Sequence, residues 1–183
     1  MIICVVGKTS SGKDSVAKYL KEKYNIDMIV SYSTAPKRED QIEGVHHYFI
    51  TSEEMARILK EETVIAYSKT KRGTEYCATL ESIKSDNVVY IIDPAGIDYM
   101  RDKGFDYKSI YVDCENKTIL RRGTERGDSI IKLTERLTDE TPIFDGFRDS
   151  EQWDYIVDNN GSFESLINQV DNIVYDLALK GGN

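Results

Sequence analysis

Five short apolar runs punctuate the chain: Ile2–Val6, Met28–Val30, Val88–Ile92, Ile110–Val112 and Tyr155–Val157. Their apolar residues are consecutive rather than alternating, as expected of strands covered on both faces. Between the runs the spacing changes to that of a helix. Val16, Leu20 and Tyr24 recur on one face, and the stretch from Phe163 to Leu177 carries a broad stripe through Leu166, Val170 and Ile173. Strand and helix signals in alternation predict an α/β fold, a mainly parallel sheet with helices on both sides.

Two regions break that alternation. Residues 32 to 79 are polar and rich in tyrosine, with strand-like pieces at Tyr48–Ile50 and Thr63–Tyr67 around a helix that opens on a capping box, Thr51-x-x-Glu54. Residues 121 to 149 are dense in Arg, Asp and Glu. Neither composition suits a core, and each reads as a flap over a site on the sheet. The predicted organisation is one domain. Its core is residues 1–31, 80–120 and 150–183, its insert residues 32–79, and its lid residues 121–149.

Composition narrows the function classes. The 183 residues hold 24 Lys+Arg against 32 Asp+Glu, a formal charge of −8, which argues against general affinity for nucleic-acid backbones. No apolar run approaches the ~20 residues of a membrane span, and no signal peptide is apparent. Cys4, Cys77 and Cys114 are odd in number and far apart, with neither disulfide nor zinc spacing. A soluble cytoplasmic protein is expected, without nucleic-acid or membrane partners.

The strongest local motif follows the first apolar run directly and opens the first helix: Gly7-Lys8-Thr9-Ser10-Ser11-Gly12-Lys13-Asp14, then Ser15. This is G-x-x-x-x-G-K, with Asp where Ser or Thr is usual. Glycines let the backbone curl so that its N–H groups converge on an anion, and the helix N-terminus adds partial positive charge. Lys13 then reaches the β and γ phosphates as a point charge. A Gly-rich turn capped by Asp14 explains the glycines but not the lysine. A carboxylate beside a triphosphate is repulsive unless Mg²⁺ lies between them, so Asp14 reads either as a magnesium ligand or as a helix cap with Ser15 or water serving the metal.

A second carboxylate, Asp93, ends the strand Val88–Ile92, the position expected of an acidic residue at the sheet edge beside such a loop. Asp93-Pro-Ala-Gly96 also spells the D-x-x-G of GTPases, but the guanine clamp that reading needs is missing, since Asn116-Lys117-Thr118-Ile119 lacks its aspartate. Arg121, Arg122, Arg126 and Arg136 fall in the acidic-flanked lid. Arginines brought in by a closing lid stabilise the charge of a loose phosphoryl-transfer transition state and help exclude water. The alternative is a solvated helix laced by i,i+4 ion pairs, which suits Lys132 better than Arg122-x-x-x-Arg126-Gly127.

Ser31-Tyr-Ser-Thr-Ala-Pro-Lys-Arg38 followed by Glu43-Gly44-Val-His-His-Tyr-Phe49 resembles the monophosphate-binding segment of guanylate kinases. The phosphate loop, Asp93 with Gly96, the arginine-rich lid and Asp154-Tyr-Ile-Val-Asp-Asn159 fall in that family's order, so the resemblance spans nearly the whole chain. It implies a P-loop three-layer sandwich with a nucleoside-monophosphate insert and a lid, using ATP and Mg²⁺ to phosphorylate a nucleoside monophosphate, best GMP or dGMP, as a monomer or homodimer. Carried over, Ser10, Ser11, Gly12, Lys13, Asp14, Ser15 and Asn159 meet ATP, the last beside adenine. Lys13, Arg122, Arg126 and Arg136 are catalytic, and Asp14 and Asp93 serve the metal. Ser31, Arg38, His47, Tyr76 and Asp93 meet the acceptor.

Departures from the family pattern keep other readings open. The first phosphate arginine falls at Ala35 and a phosphate-binding tyrosine at His47. The glutamate and serine that read guanine fall near Tyr67 and Ala78. The Gly-Lys-Asp ending of the loop is similar to that of some phage deoxynucleotide kinases and animal phosphomevalonate kinases. A kinase of another (deoxy)nucleotide or small phosphorylated acceptor therefore stands beside GMP, as does a guanylate-kinase-like binding module without catalysis. His46-His47 does not make a metal pair, because adjacent strand residues face opposite ways and no third ligand lies near in sequence.

Overall fold

The computed structural model describes residues 1–39, 41–150 and 153–180. Nine strands, six α-helices and one 3₁₀ turn at Leu80–Ser82 lie along them. The chain divides into two compact units, Met1–Cys4 with Ile26–Tyr107, and Val5–Asn25 with the chain from Lys108 onward. The first strand, β1 (Ile2–Val6), passes from one unit into the other, and all five of its residues are buried.

In the first unit β1 belongs to a sheet with β7 (Val88–Ile91) and β2 (Asp27–Met28), in the order β2-β7-β1, with β2 parallel to β7. A second sheet has the order β4-β3-β6-β5, formed by β3 (Tyr32–Ser33), β4 (Tyr48–Phe49), β5 (Val64–Lys69) and β6 (Glu75–Thr79). Its β5–β6 hairpin is antiparallel, and β3 runs parallel to β4. The predicted capping box is present. Thr51 Oγ1 accepts from Glu54 N at 3.2 Å and Glu54 Oε2 from Thr51 N at 2.8 Å, which starts α2 (Ser52–Glu61). Met55 and Ile58 of α2 pack with Val64 and Cys77, and Tyr32, Tyr67 and Tyr99 lie around that cluster. Pro94 opens α3 (Pro94–Asp102), where its missing N–H costs nothing.

In the second unit the same sheet continues as β1-β8-β9, with β8 (Lys108–Asp113) parallel to β9 (Tyr155–Asp158). α1 (Lys13–Tyr24) and α6 (Phe163–Lys180) correspond to the two amphipathic stretches read from sequence. The lid stretch resolves into two helices, α4 (Asn116–Arg126), ended by Gly127 at φ 83°, and α5 (Ile130–Ser150). Leu133, Leu137 and Phe144 are the buried residues of α5, and the first two pack with Cys114 and Ile119. That spacing lets a helix with so polar a sequence hold on one face. The helix continues through Pro142. Among the described residues, no helix is long and apolar enough to cross a membrane.

Candidate active site

The phosphate loop of the second unit is built by close approach. At Gly7 a Cβ would stand 2.5 Å from Ser11 Oγ and 2.8 Å from the Val112 carbonyl, and at Gly12, whose φ is +102°, it would stand 2.2 Å from Asn159 Nδ2. Neither position has room for a side chain, and the second also needs the left-handed backbone that glycine adopts freely. Gly12 caps α1 with no side-chain hydrogen bond. Asp14 therefore does not cap the helix. It stands in the first turn with its side chain 78% exposed, 3.9 Å from Lys13 Nζ.

Lys13 folds back over the loop and donates to the Lys8 carbonyl at 3.2 Å. Burial pulls its ammonium below the ordinary lysine value, against the opposing pull of Asp14 and Glu140, while Arg136 pushes the same way as burial. Lys8 has a buried side chain and pairs with Asp145 at 3.1 Å. Thr9 N donates to Glu140 Oε2 at 2.6 Å. Arg126 reaches Ser10 Oγ at 3.5 Å and Asp128 Oδ2 at 2.6 Å, and Arg136 lies 3.6 Å from Glu140. The loop is thus met by two carboxylates of α5, Glu140 and Asp145, that carry no signal in the sequence beyond Glu140 lying one helical turn after Arg136.

Arg122 sits differently from the other arginines. Its guanidinium donates to the carbonyls of Asn159 at 2.7 Å and Gly161 at 2.6 Å, tying α4 to the loop after β9. Asn159 is itself buried, and its Nδ2 donates to the Ser11 carbonyl at 2.6 Å. The side chain expected beside adenine is committed to the underside of the phosphate loop. Cys114 lies in the same cluster, and burial pushes its thiol up.

In the first unit Tyr76 lies on β6, Ser31 and His47 stand just before β3 and β4, and Asp93 precedes α3. Ser31 is buried, and its Oγ lies 2.9 Å from His47 Nδ1. The His47 ring centroid lies 5.4 Å from that of Tyr76 and 5.7 Å from that of Phe49. His46 is engaged elsewhere, its Nδ1 accepting from Ile42 N at 2.9 Å, so the two histidines serve different contacts. Arg38 is exposed and its backbone N donates to Gln41 Oε1. Asp93 caps α3 by accepting from Gly96 N at 2.8 Å, and its other oxygen accepts from Ser68 Oγ at 2.7 Å. Ser68 was missed from sequence. Its signal is register alone: it lies opposite Tyr76 on the hairpin.

That register also sorts the expected base readers. Ala66 lies opposite Ala78 and Ser68 opposite Tyr76, while Tyr67 lies opposite Cys77. Since alternate residues of a strand face opposite ways, Tyr67 leaves the face that carries Tyr76. Its hydroxyl donates to Glu75 at 2.6 Å and its ring packs edge-on to Tyr99. Burial first, then Glu75, pushes its phenol up to about 12. The partner of Ala78 on the Tyr76 face is Ala66. Two methyl groups stand there.

A magnesium ion needs hard oxygen donors and keeps most of its ligands as water and phosphate. The exposed Asp14 carboxylate at the mouth of the loop suits that demand. Asp93 in the first unit holds a backbone N–H and a hydroxyl on its two oxygens. Among the described residues no group of three or more His, Cys, Asp or Glu stands ready to hold a metal ion by itself.

Comparison with known proteins places this geometry. The family model described as guanylate kinase matches residues 1–177. The chain is 27% identical over 172 residues to a guanylate kinase of Histophilus somni, covering 87% of this chain and 80% of that protein. It is 31% identical over 143 residues to one of Mycoplasmoides gallisepticum, covering 72% and 73%. The crystal structure of guanylate kinase from Anaplasma phagocytophilum superposes with a TM-score of 0.65 at 21% identity over all of this chain and 87% of that one, a likeness of fold. With a glycine-built phosphate loop, a mostly parallel sheet and a family match over nearly its whole length, the chain belongs to the guanylate kinase family and is an ATP-using nucleoside monophosphate kinase.

Proposed function

We propose that the chain transfers the terminal phosphoryl group of Mg·ATP to GMP, giving ADP and GDP, by direct in-line displacement without a covalent intermediate. The observation that carries this reading is the pairing of two built sites in one family member. One is the loop around Lys13 in the second unit, the other the Ser31–His47–Tyr76 group of the first. Lys13 supplies a point charge to the transferring group. Arg126 and Arg136 are the lid cations that meet charge spread over the transferring oxygens. Arg122 supports them, because its guanidinium is already committed to two carbonyls.

Ser31, Tyr76 and His47 offer hydroxyl and ring N–H groups to the acceptor phosphate, and Arg38 offers charge. Ser68 and Asp93 face the rest of the acceptor. Asp14 holds the magnesium ion, which neutralises phosphate charge when bound; Ser15 and the loop amides of Ser10, Ser11 and Gly12 complete the ATP contacts. Three buried cysteine thiols and an acidic composition support work in the cytoplasm.

One observation favours a second acceptor within the class. Ala66 and Ala78 leave the acceptor face with methyl groups beside Ser68 and Asp93. Discrimination between bases rests on buried polar readers. Fewer readers favour a broader acceptor range, including other ribo- or deoxynucleoside monophosphates. The test is a coupled ADP-release assay with Mg·ATP across a panel of ribo- and deoxynucleoside monophosphates. Turnover highest on GMP or dGMP upholds the reading, and a clear preference for another base replaces the acceptor while keeping the chemistry. No turnover with any of them rejects the reading and favours a binding module or a non-nucleotide acceptor.

A further inference from the structure

The phosphate loop already holds an anion of the protein's own. Glu140 of α5 places Oε2 2.6 Å from Thr9 N, and its Oε1 lies 3.6 Å from Arg136 Nη2. Its charge also reaches the Lys13 ammonium. A carboxylate set among a loop N–H, a lid guanidinium and the loop lysine has the surroundings that a phosphate oxygen would need.

The position along the loop says which phosphate. Loop amides cradle the inner phosphates, and the lysine extends to the outer ones. Glu140 lies 3.6 Å from the lid guanidinium of Arg136, and its charge acts on Lys13, the loop group that extends to the outer phosphates. Glu140 therefore stands at the terminal-phosphate end.

We propose that Glu140 is a resident stand-in for the terminal phosphate of the donor, which ATP must displace and ADP need not, so that this one carboxylate sets the ratio of triphosphate to diphosphate affinity. The inference rests on the donor-loop reading above. Two anions do not share one set of donors. ATP binding therefore breaks the Thr9–Glu140 hydrogen bond and separates Glu140 from Arg136, releasing that guanidinium to the arriving phosphate. ADP, ending one phosphate short, leaves the carboxylate seated, and the nucleotide product keeps its affinity while the substrate is taxed.

Glu140→Gln tests this directly, because the amide oxygen can still accept from Thr9 while the charge is gone. Dissociation constants for Mg·ATP and Mg·ADP are measured by calorimetry on the full chain. The expected result is ATP binding tightened on the order of tenfold, the value of one charge-assisted contact no longer displaced, with ADP changed less than about twofold. Asp145→Asn, on the same helix and paired with Lys8, is the control for loosening α5 or lowering its charge, and is expected to shift both nucleotides together. An unchanged ATP-to-ADP ratio in Glu140→Gln, an equal shift of both nucleotides, or weakened ATP binding overturns the inference and leaves the loop reading intact. Wild-type protein that binds neither nucleotide overturns both.

Discussion

Asn159 and Gly12 are fitted to each other: Nδ2 of the one donates to the Ser11 carbonyl at 2.6 Å, and a Cβ on the other would stand 2.2 Å from that same nitrogen. Asn159→Ala leaves a buried carbonyl without its donor and is expected to cost about 1–3 kcal/mol. Gly12→Ala drives a methyl group into the amide and holds alanine at φ +102°, with a cost of at least about 2 kcal/mol. Because the steric part needs both side chains, the double variant should be destabilised less than the sum. Denaturant titration of all four proteins checks it, and strict additivity would show that the two residues do not meet.

Lys13→Ala should abolish turnover, by roughly a thousandfold or more, while the far-UV spectrum and unfolding midpoint stay near wild type. Releasing a largely buried ammonium from its desolvated position removes charge without removing core packing. Wild-type rates in this variant are incompatible with the proposed role.

Arg122 and Arg136 should separate cleanly. Arg122→Ala strips two charge-assisted hydrogen bonds from the Asn159 and Gly161 carbonyls and is expected to lower stability by about 1.5–3 kcal/mol. Arg136→Ala, on an exposed helical face, should leave stability within about 0.5 kcal/mol and lower kcat instead. Paired unfolding and steady-state measurements decide, and a stable, slow Arg122→Ala protein would return Arg122 to the transition state.

The thiols should be silent in the native protein. Burial first, then Glu62 and Glu75, pushes the Cys77 thiol up to about 12, and Cys4 and Cys114 are also buried. Thiolate is the reacting form. At pH 8 an aromatic disulfide reagent should release no thiolate from folded protein and should titrate three thiols after denaturation.

Acid should cost the second unit one identifiable support. Burial pushes the Asp154 carboxyl up, but Lys108 and Ser109 outweigh it and hold the group below its ordinary value. A carboxyl depressed in the folded state adds stability above its unfolded value, near 4, and loses it as pH falls through the lower folded value. The gain is less than about 1 kcal/mol because solvent screens the pair. Urea titrations of wild type and Asp154→Asn should differ at pH 6 and converge toward pH 3. A constant difference would remove Asp154 from the acid response.

Much of this was readable from residue order, because the signals were local. The apolar runs at Ile2–Val6 and Val88–Ile92 and the capping box at Thr51 depend on neighbours a few residues away, and each forms in place. What escaped depended on distant partners. Tyr67 and Ser68 differ by one residue, yet pleating sends one to the tyrosine cluster of α2 and α3 and the other to Asp93. Arg122 reads as a lid cation until the carbonyls of Asn159 and Gly161 are seen around it. Glu140 carries no role in the sequence, since nothing local brings it to Thr9.

Pro142 lies between the two α5 carboxylates that touch the loop, and it divides that helix into levers of unequal tether. Lacking an N–H, it leaves the Thr138 carbonyl without its helical donor. Beyond it, the Phe144 carbonyl accepts from Tyr111, Asp145 pairs with Lys8, and Arg148 lies 3.0 Å from Asp113. Before it, Leu133 and Leu137 pack with Cys114 and Ile119, and Glu140 accepts from Thr9 N. The gap in the helical ladder therefore lies between two anchored arms, one packed on Cys114 and Ile119 and the other moored to Tyr111, Lys8 and Asp113, so any bend of α5 concentrates at this one residue.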